Sequence, residues 1–254
     1  MFYQPESLTP VLSGSGTARQ AENHYSLGIT PDGSRNYHNG QVCDYVARDG
    51  DQARMQFMLR PPLTIRLRAQ AFAEANQLVG TAGFGLWNHP FSPDARRMPR
   101  LPRAAWFFFG APPNDMQLAH GQPGSGFKAA VIDALNPRAL ALAPFALPAA
   151  LLMRSPRLYD AFFPRIQRAL KIAQTPLDEG LLFQPHTYTL TWLPDRVTCA
   201  IDEHVVLDTP FSPGGPLGFV AWIDNQYAVV HAQGRFGFGI TPLRQPQALE
   251  ITIG

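Results

Sequence analysis

The chain has 254 residues, of which 45% are apolar and 16% are charged, enough for one large hydrophobic core in a single domain. Its 21 basic and 19 acidic residues leave a formal charge of +2 without a long Lys/Arg run, so nucleic acid is not an expected partner. The N-terminus lacks the basic and apolar regions of a signal peptide, and we expect a cytoplasmic protein. Two cysteines, Cys43 and Cys199, indicate buried thiols, not a disulfide framework or a cysteine metal site.

Residues 1–35 are polar and rich in Gly and Ser without a sustained period, and we expect an irregular lead-in there. From residue 41 the pattern changes to short apolar runs separated by Gly, Pro or charged turns, which is typical of β-strands. In Thr64–Ala71 the apolar residues occupy odd positions, as in a strand with one buried face. Strands in this half are predicted at 41–47, 54–59, 64–72, 81–88 and 104–109.

Residues 136–180 differ in composition and predict a helical insertion. The apolar run Ala139–Met153 is interrupted by two prolines, so it is too short and broken to span a bilayer. Ser155 followed by Pro156 is a helix-start signal, and apolar residues then recur at helical spacing beside several Arg. We expect the insertion to pack on the domain; contact of 139–173 with a membrane surface is the alternative.

Later strands are predicted at 186–192, 196–202, 204–208, 217–224, 227–232 and 248–253. The total is about eleven strands, with Gly/Pro turns and mostly antiparallel connections. This pattern favours an all-β fold in which two antiparallel sheets pack as a β-sandwich, a jelly roll, around one core. The helical insertion is then the only large departure from a single sandwich domain spanning 1–254.

The segment His186–Asp202 contains a strand ending in Trp, a Pro-Asp turn and a strand ending in Asp, and a tight return follows. This order resembles the late strands of the concanavalin A-like lectin/glucanase superfamily, and glycoside hydrolase family 16 in particular. Thr64–Ala71, Gly80–Pro90 and Leu249–Ile253 are similar to further strands of that family. The resemblance implies a concanavalin A-like jelly roll and leaves open a structural calcium ion of the kind such folds often bind.

The strand Arg103–Gly110 lies where the family places its catalytic carboxylates, but it departs from the family pattern. Retaining glycosidases need two carboxyl groups about 5 to 5.5 Å apart, which alternate positions on one strand supply. Here those positions hold Ala, Trp and Phe, and the E-x-D-x-x-E motif of the family is absent from the sequence. The resemblance therefore implies the scaffold without retaining hydrolysis of the family-16 type, and whether the protein is an enzyme stays open.

The run Trp87–Pro90 ends a strand and carries candidate functional residues. Asn88 and His89 supply donors and acceptors beside the Trp87 ring, a combination suited to a polar ring ligand, and His89 can transfer protons near neutral pH. The alternative is a turn in which Asn88 satisfies backbone groups and Trp87 belongs to the core.

A second candidate run lies at Trp222–Tyr227. By alternation Trp222 and Asp224 share one face of a strand, where a carboxyl group needs polar partners. We expect Asp224 and His89 to be the acid/base groups of any catalytic site. The expected ligand-orienting residues are Asn88, Asn225 and Tyr227. A solvated turn at the strand end is the alternative.

Aromatic residues dominate the strand at 104–109. Trp106 and Phe108 share one face, and two other Phe share the opposite face. Because one pair must belong to the core, the other pair can line a groove together with Trp87 and Trp222. Core packing is the alternative for each single ring.

Other polar residues give weaker signals. His38 and Asp44 form an acid/base pair only if both face the cleft, and an Asn-Gly turn is the favoured interpretation of that stretch. His186, His204 and His231 fall on separate strands without the spacing of a zinc site, so no metal site or cofactor is predicted.

Three functions are compatible with these patterns. The first is a carbohydrate-recognising protein, either a glycan binder or a carbohydrate-active enzyme that uses Asp and His in an aromatic-lined concave cleft. The second is a cytosolic pocket for an apolar or amphipathic small molecule, in binding or non-hydrolytic chemistry, with the helical insertion as a lid. A membrane-surface or structural role is a third, and the sequence does not fix the oligomeric state.

Overall fold

The computed structural model describes residues 1–49, 52–90 and 100–254. The strands of this described part are, in chain order, Thr9–Ser13 (β1), Thr17–Ala21 (β2), His24–Ile29 (β3), Asn39–Cys43 (β4), Val46–Asp49 (β5), Gln52–Met55 (β6), Leu63–Ala73 (β7), Thr81–Trp87 (β8), Arg103–Gly110 (β9), Asp115–Met116 (β10), Gly126–Asp133 (β11), Ala173–Leu177 (β12), His186–Trp192 (β13), Val197–Ile201 (β14), His204–Thr209 (β15), Gly218–Asp224 (β16), Gln226–Val230 (β17), Phe236–Ile240 (β18) and Gln247–Ile253 (β19). The α-helices are Pro137–Leu142 (α1), Ala146–Leu152 (α2) and Pro156–Ala169 (α3). Short 3-10 helices occupy Glu74–Asn76, Ala143–Phe145 and Glu179–Phe183.

Two seven-stranded antiparallel sheets pack face to face. The front sheet has the order β1-β4-β16-β8-β9-β11-β12, and the back sheet has the order β15-β14-β13-β7-β19-β3-β2. A third sheet of order β10-β17-β18, here called the roof sheet, lies over the outer face of the front sheet, and β5 pairs with β6. The predicted two-sheet antiparallel sandwich with a helical insertion is confirmed.

Strict alternation in the strands builds the core between the two sheets. In β7, Ile65 and Leu67 are buried while Arg66 and Arg68 are exposed, as the sequence pattern predicts. From the front sheet, Phe84 and Phe107 point inward and meet Tyr188 of β13, with ring centroids 4.9 and 5.0 Å from the Tyr188 ring. Edge-on aromatic contacts of this kind add to the stabilisation from apolar burial.

The prediction of an irregular lead-in over residues 1–35 is wrong. This segment contains the strands β1, β2 and β3. In β3 the buried side chains of Tyr25, Leu27 and Ile29 alternate with polar or small residues. This alternation includes only three apolar side chains, which is too short to predict a strand. β2, by contrast, is largely exposed at the sheet edge, so its polar sequence carries no such pattern.

The prediction is also wrong for two strands of the front sheet. It has no strand at the position of β11, and it assigns the residues of β12 to the helical insertion. β11 reads Gly-Phe-Lys-Ala-Ala-Val-Ile-Asp and is buried from Phe127 onward. A strand buried on both faces has no alternation to detect, and its identity depends on pairing with β9 and β12.

The helical insertion packs on the domain through few side chains. Tyr159 and Phe163 of α3 are buried, whereas the neighbouring Phe162 points to solvent. Within the described ranges, no helix is long and apolar enough to cross a bilayer. Cys43 and Cys199 are both buried free thiols, as predicted.

Phe107 gives a test of the core. Phe107→Ala removes a buried ring that contacts Phe84, Phe127 and Tyr188, and should lower the free energy of unfolding by about 3–5 kcal/mol. The control Phe236→Ala removes a ring that is 69% exposed and should change it by less than about 0.5 kcal/mol. Urea unfolding of both variants measures the difference; equal losses would contradict the assigned packing.

Candidate functional site

Two glycines of β8 lie beside tryptophan side chains on the outer face of the front sheet. Gly83 lies opposite Trp222 of β16, and Gly85 lies opposite Trp106 of β9. A Cβ at Gly83 would stand 2.7 Å from the Trp222 ring, and one at Gly85 would stand 2.7 Å from Cα of Trp106. Only glycine therefore leaves room for the two Trp side chains to lie across β8.

The aromatic side chains on this face pack against one another. Trp87 and Trp222 are stacked with centroids 5.5 Å apart and planes at 9°. Trp106 meets Trp87 at 6.2 Å and Trp222 at 6.1 Å, and Phe108 lies 5.8 Å from Trp106. All four rings are less than a tenth exposed, so they form a second apolar cluster and not an open platform.

A narrow cavity of about 70 Å³ lies between this aromatic cluster and the roof sheet. Tyr227, Ala228 and Phe238 of the roof sheet line its outer side. An apolar cavity of ~150 Å³ is needed to hold one benzene ring. A ring-sized ligand therefore requires the roof sheet to move, and the helical insertion does not cover the cavity as the predicted lid would.

Polar groups form one end of the cavity around Asp224. Its Oδ1 accepts hydrogen bonds from Thr81 Oγ1 at 2.8 Å, Thr81 N at 3.2 Å and Gln226 N at 3.1 Å. Oδ2 accepts one longer bond, from Tyr37 Oη at 3.3 Å. Burial raises the pKa of this carboxyl to about 6, against the lowering effect of its donors.

His89 marks the other end of the cavity. It adopts a left-handed backbone conformation with φ of 50°, which is uncommon for a residue with a Cβ. Its ring lies edge-on to Trp87 at 5.2 Å, and its Nδ1 is 3.2 Å from Tyr45 Oη.

The Tyr45 hydroxyl connects His89 to two further side chains. Trp87 Nε1 donates to Tyr45 Oη at 2.9 Å, and Gln41 Nε2 donates to it at 3.2 Å. Because these donors occupy the acceptor sites of the hydroxyl, its own proton is directed to Nδ1 of His89.

The stacked indoles stand between the two predicted acid/base residues. The His89 ring contacts Trp87, Trp87 stacks on Trp222, and Trp222 Nε1 donates to Thr81 Oγ1 at 2.9 Å beside Asp224. Asp224 pairs in register with Thr81 at one end of β8, whereas His89 follows the other end.

The two predicted ligand-binding asparagines are corrected by the structure. Asn88 Oδ1 accepts from Arg103 N at 2.9 Å, and its Nδ2 donates to Leu101 O at 3.0 Å. Asn225 is buried, accepts from His38 N at 2.8 Å and donates to two carbonyl oxygens. Neither belongs to the cavity wall formed by the described residues, because backbone groups of adjoining loops use their polar atoms.

Trp106 carries an unused donor. Its side chain is 2% exposed and lines the cavity. Its Nε1 has no hydrogen-bond partner among the residues that the structure describes. A buried N–H without an acceptor costs free energy, and an acceptor atom of a ligand or a water in the cavity would satisfy it.

Of the nine predicted site residues, the seven other than the asparagines line this one cavity: Asp224, His89, Trp87, Trp106, Phe108, Trp222 and Tyr227. The prediction missed several polar wall residues, namely Tyr37, Gln41, Thr81 and Asn114. Gln41 and Thr81 could have been found, since each occupies an outer-face position of a strand that pairs with β16.

Two weaker candidates lie away from one another. His38 Nδ1 accepts from Ser15 N at 3.0 Å, while Asp44 accepts from Tyr3 Oη at 2.9 Å and from Phe219 N at 2.8 Å. They therefore do not form the pair considered from the sequence. Across the described ranges, no group of three or more His, Cys, Asp or Glu side chains is arranged to hold a metal ion.

Comparison with known proteins adds likenesses of fold. No family model matches the sequence, and no curated protein matches it. Among solved structures, a GlcNAcα1-4Gal-releasing endo-β-galactosidase from Clostridium perfringens matches 94% of this chain and 53% of its own, at 10% identity and TM-score 0.46. This chain thus spans about half the length of that enzyme.

Two other solved structures cover more of both chains. One, described as endo-acting O-glycanases of human gut microbiota, matches 95% of this chain and 83% of its own at 10% identity and TM-score 0.47. The Emp47p carbohydrate recognition domain matches 98% and 90% at 11% identity and TM-score 0.43. Values this low say nothing about the activity or substrate of this chain.

Asp224 gives the site a pH signature in stability. Its folded pKa of about 6 lies above the ordinary value of 3.8, so its contribution to stability is full below about pH 4 and is lost as pH rises through 6. Replacement by Asn keeps an acceptor oxygen for Thr81 and removes the titration. From pH 4 to pH 7, the free energy of unfolding in urea should fall by roughly 2–3 kcal/mol less in Asp224→Asn than in the unmodified protein. Equal falls would contradict the raised pKa.

Proposed function

We propose that the protein binds a small hydroxylated ring, of the size of a monosaccharide unit, between the aromatic cluster and the roof sheet. The observation that carries this proposal is the arrangement of the cavity wall: stacked indoles in the middle and polar groups at both ends. Sugar rings present apolar C–H faces and polar edges, which match such a wall. The expected hydroxyl contacts are Asp224 Oδ2 at one end and the side chains of Gln41 and His89 at the other.

Binding is better supported than bond cleavage. The cavity-facing positions of β9 are Ala104, Trp106 and Phe108, none of which can attack or protonate a glycosidic bond. The carboxyl of Asp224 and the imidazole of His89 are separated by two stacked rings. The proposed role is therefore recognition, with the unpaired Trp106 Nε1–H supplying one donor to the ligand.

A second candidate is a planar amphipathic molecule with one polar group. The mutual stacking and burial of Trp87, Trp106 and Trp222 favour it, because these rings are shielded from water even in the closed cavity. Such a ligand would displace roof-sheet side chains and place its polar group near Asp224 or Trp106.

Calorimetric titration with mono- and disaccharides, and in parallel with aromatic acids and fatty acids, separates the two candidates. For a hydroxylated ligand, Asp224→Asn should weaken binding roughly 10- to 100-fold, because a hydrogen bond to a carboxylate is lost. Trp106→Phe keeps a ring and removes one neutral hydrogen bond, so it should cost roughly 2- to 10-fold. Affinity of the unmodified protein should rise from pH 5 to pH 7 as Asp224 ionises through its pKa of about 6.

Asp208→Asn is the matched control, because this exposed carboxylate of the back sheet pairs with Arg196. It should leave the affinity and its pH dependence unchanged. Saccharide binding that is insensitive to both Asp224→Asn and Trp106→Phe would refute the assigned site. Tight binding of the apolar panel with no response to saccharides would establish the second candidate instead.

A further inference from the structure

The helical insertion exposes an apolar surface of its own, outside the cavity. Seven of the 17 exposed large apolar side chains among the described residues lie between 140 and 162, with exposures from 39% to 73%. They are Leu140, Leu142, Phe145, Leu147, Leu151, Leu152 and Phe162. Monomeric soluble domains rarely leave so dense an apolar patch uncovered without a partner.

The inner side of the insertion is already occupied by the domain. Met153, Tyr159 and Phe163 are buried together, and Tyr159 stacks on His120 with centroids 5.0 Å apart. A groove of about 550 Å³ runs between α1, α2 and α3, with Arg138 and Arg165 among the residues that line it. Leu142, Leu152 and Phe162 line the same groove and stay 39–55% exposed.

Positive charge is concentrated in the same segment. Residues 137–173 contain six basic residues and one acidic residue, Asp160, which gives 6 − 1 = +5. The whole chain carries +2, so all other residues sum to 2 − 5 = −3. Five Arg of the segment are exposed: Arg138, Arg154, Arg157, Arg165 and Arg168. The single acid is engaged, since Asp160 Oδ1 lies 2.9 Å from His120 Nε2.

We propose that this outer side, residues 138–168, docks on an anionic lipid bilayer surface. Exposed Leu and Phe can enter the boundary between headgroups and acyl chains, while Arg guanidinium groups pair with lipid phosphates. A bilayer satisfies both features together. A second copy of the chain is disfavoured as occupant, because a two-fold interface would bring the same Arg-rich surfaces together. The inference is independent of the ligand proposed for the cavity.

Vesicle co-sedimentation with the full chain tests the proposal. The protein should bind vesicles of phosphatidylcholine mixed with phosphatidylglycerol, bind weakly to phosphatidylcholine alone, and dissociate at high salt. Arg157→Gln, Arg165→Gln and Arg168→Gln together should lower the partition coefficient on the order of 100-fold. Phe145→Ser with Leu147→Ser should lower it at least about 10-fold even on anionic vesicles, because apolar insertion is lost.

Matched control variants remove positive charges and an exposed apolar side chain from the back sheet. Arg19→Gln, Arg66→Gln and Arg68→Gln delete three exposed charges from the back sheet, and Val205→Ser deletes an exposed apolar side chain there. Both controls should retain most of the vesicle binding. All changed side chains are exposed, and unchanged thermal unfolding verifies the fold of each variant.

Several outcomes would overturn the proposal. Equal partition into neutral and anionic vesicles, or no partition into either, excludes an anionic bilayer as the partner. Loss of binding in the Arg19/Arg66/Arg68 control as large as in the insertion triple variant would show an unspecific charge effect. A dimer in light scattering that Phe145→Ser with Leu147→Ser dissociates would assign the surface to a second copy of the chain.

Discussion

Burial of the front sheet on both faces is the constraint from which the other features of the molecule follow. Strands β8, β9 and β16 meet the core on one face and the indole cluster on the other, and almost every residue in them is buried. A polar side chain in the middle of such a strand would need a complete set of partners away from water. These strands therefore carry Ala, Gly, Phe and Trp, and the polar groups of the cavity gather at strand ends and on flanking strands, as Asp224, His89 and Gln41 do.

The same constraint explains why the cavity suits recognition more than cleavage. A pair of carboxyl groups on β9 would have to replace buried residues such as Trp106 and Phe108, whose side chains line the cavity. Isolating one carboxyl at the end of β16 is less costly, because Thr81 and Gln226 donate to it from adjacent backbone and side chain. Among the described residues that line the cavity, Asp224 is thus the one carboxyl group, with a raised pKa and a position suited to accept a hydroxyl.

The sequence alone predicts two kinds of element in this molecule. One is a strand with one buried and one solvent-exposed face, and the other is a segment whose composition differs from that of the rest of the chain. β7 and β13 alternate cleanly and were predicted within a residue or two, and the insertion was located by its composition. β11 was missed because a strand buried on both faces lacks a period, and β1 to β3 because short or edge strands carry little pattern. In the site, alternation placed Trp222 beside Asp224, but it did not show that Asn88 and Asn225 serve backbone groups. That distinction depends on loops distant in sequence, such as 36–38 and 101–103.

The roof sheet connects the cavity to the insertion. One end of the β17–β18 hairpin covers the cavity with Tyr227 and Phe238, while Ala232 near its tip packs against the cluster of Met153, Tyr159 and Phe163. Polar contacts to the loop at β10 hold it down, namely His231 Nε2 to Asp115 Oδ2 at 2.6 Å and Ala228 N to Asn114 Oδ1 at 3.1 Å. Lifting such a hairpin breaks a few hydrogen bonds and shallow contacts, which costs far less than disturbing the core beneath. The roof is thus the element that must yield to a ring-sized ligand, and its tip rests on the helices whose outer side we assign to the bilayer.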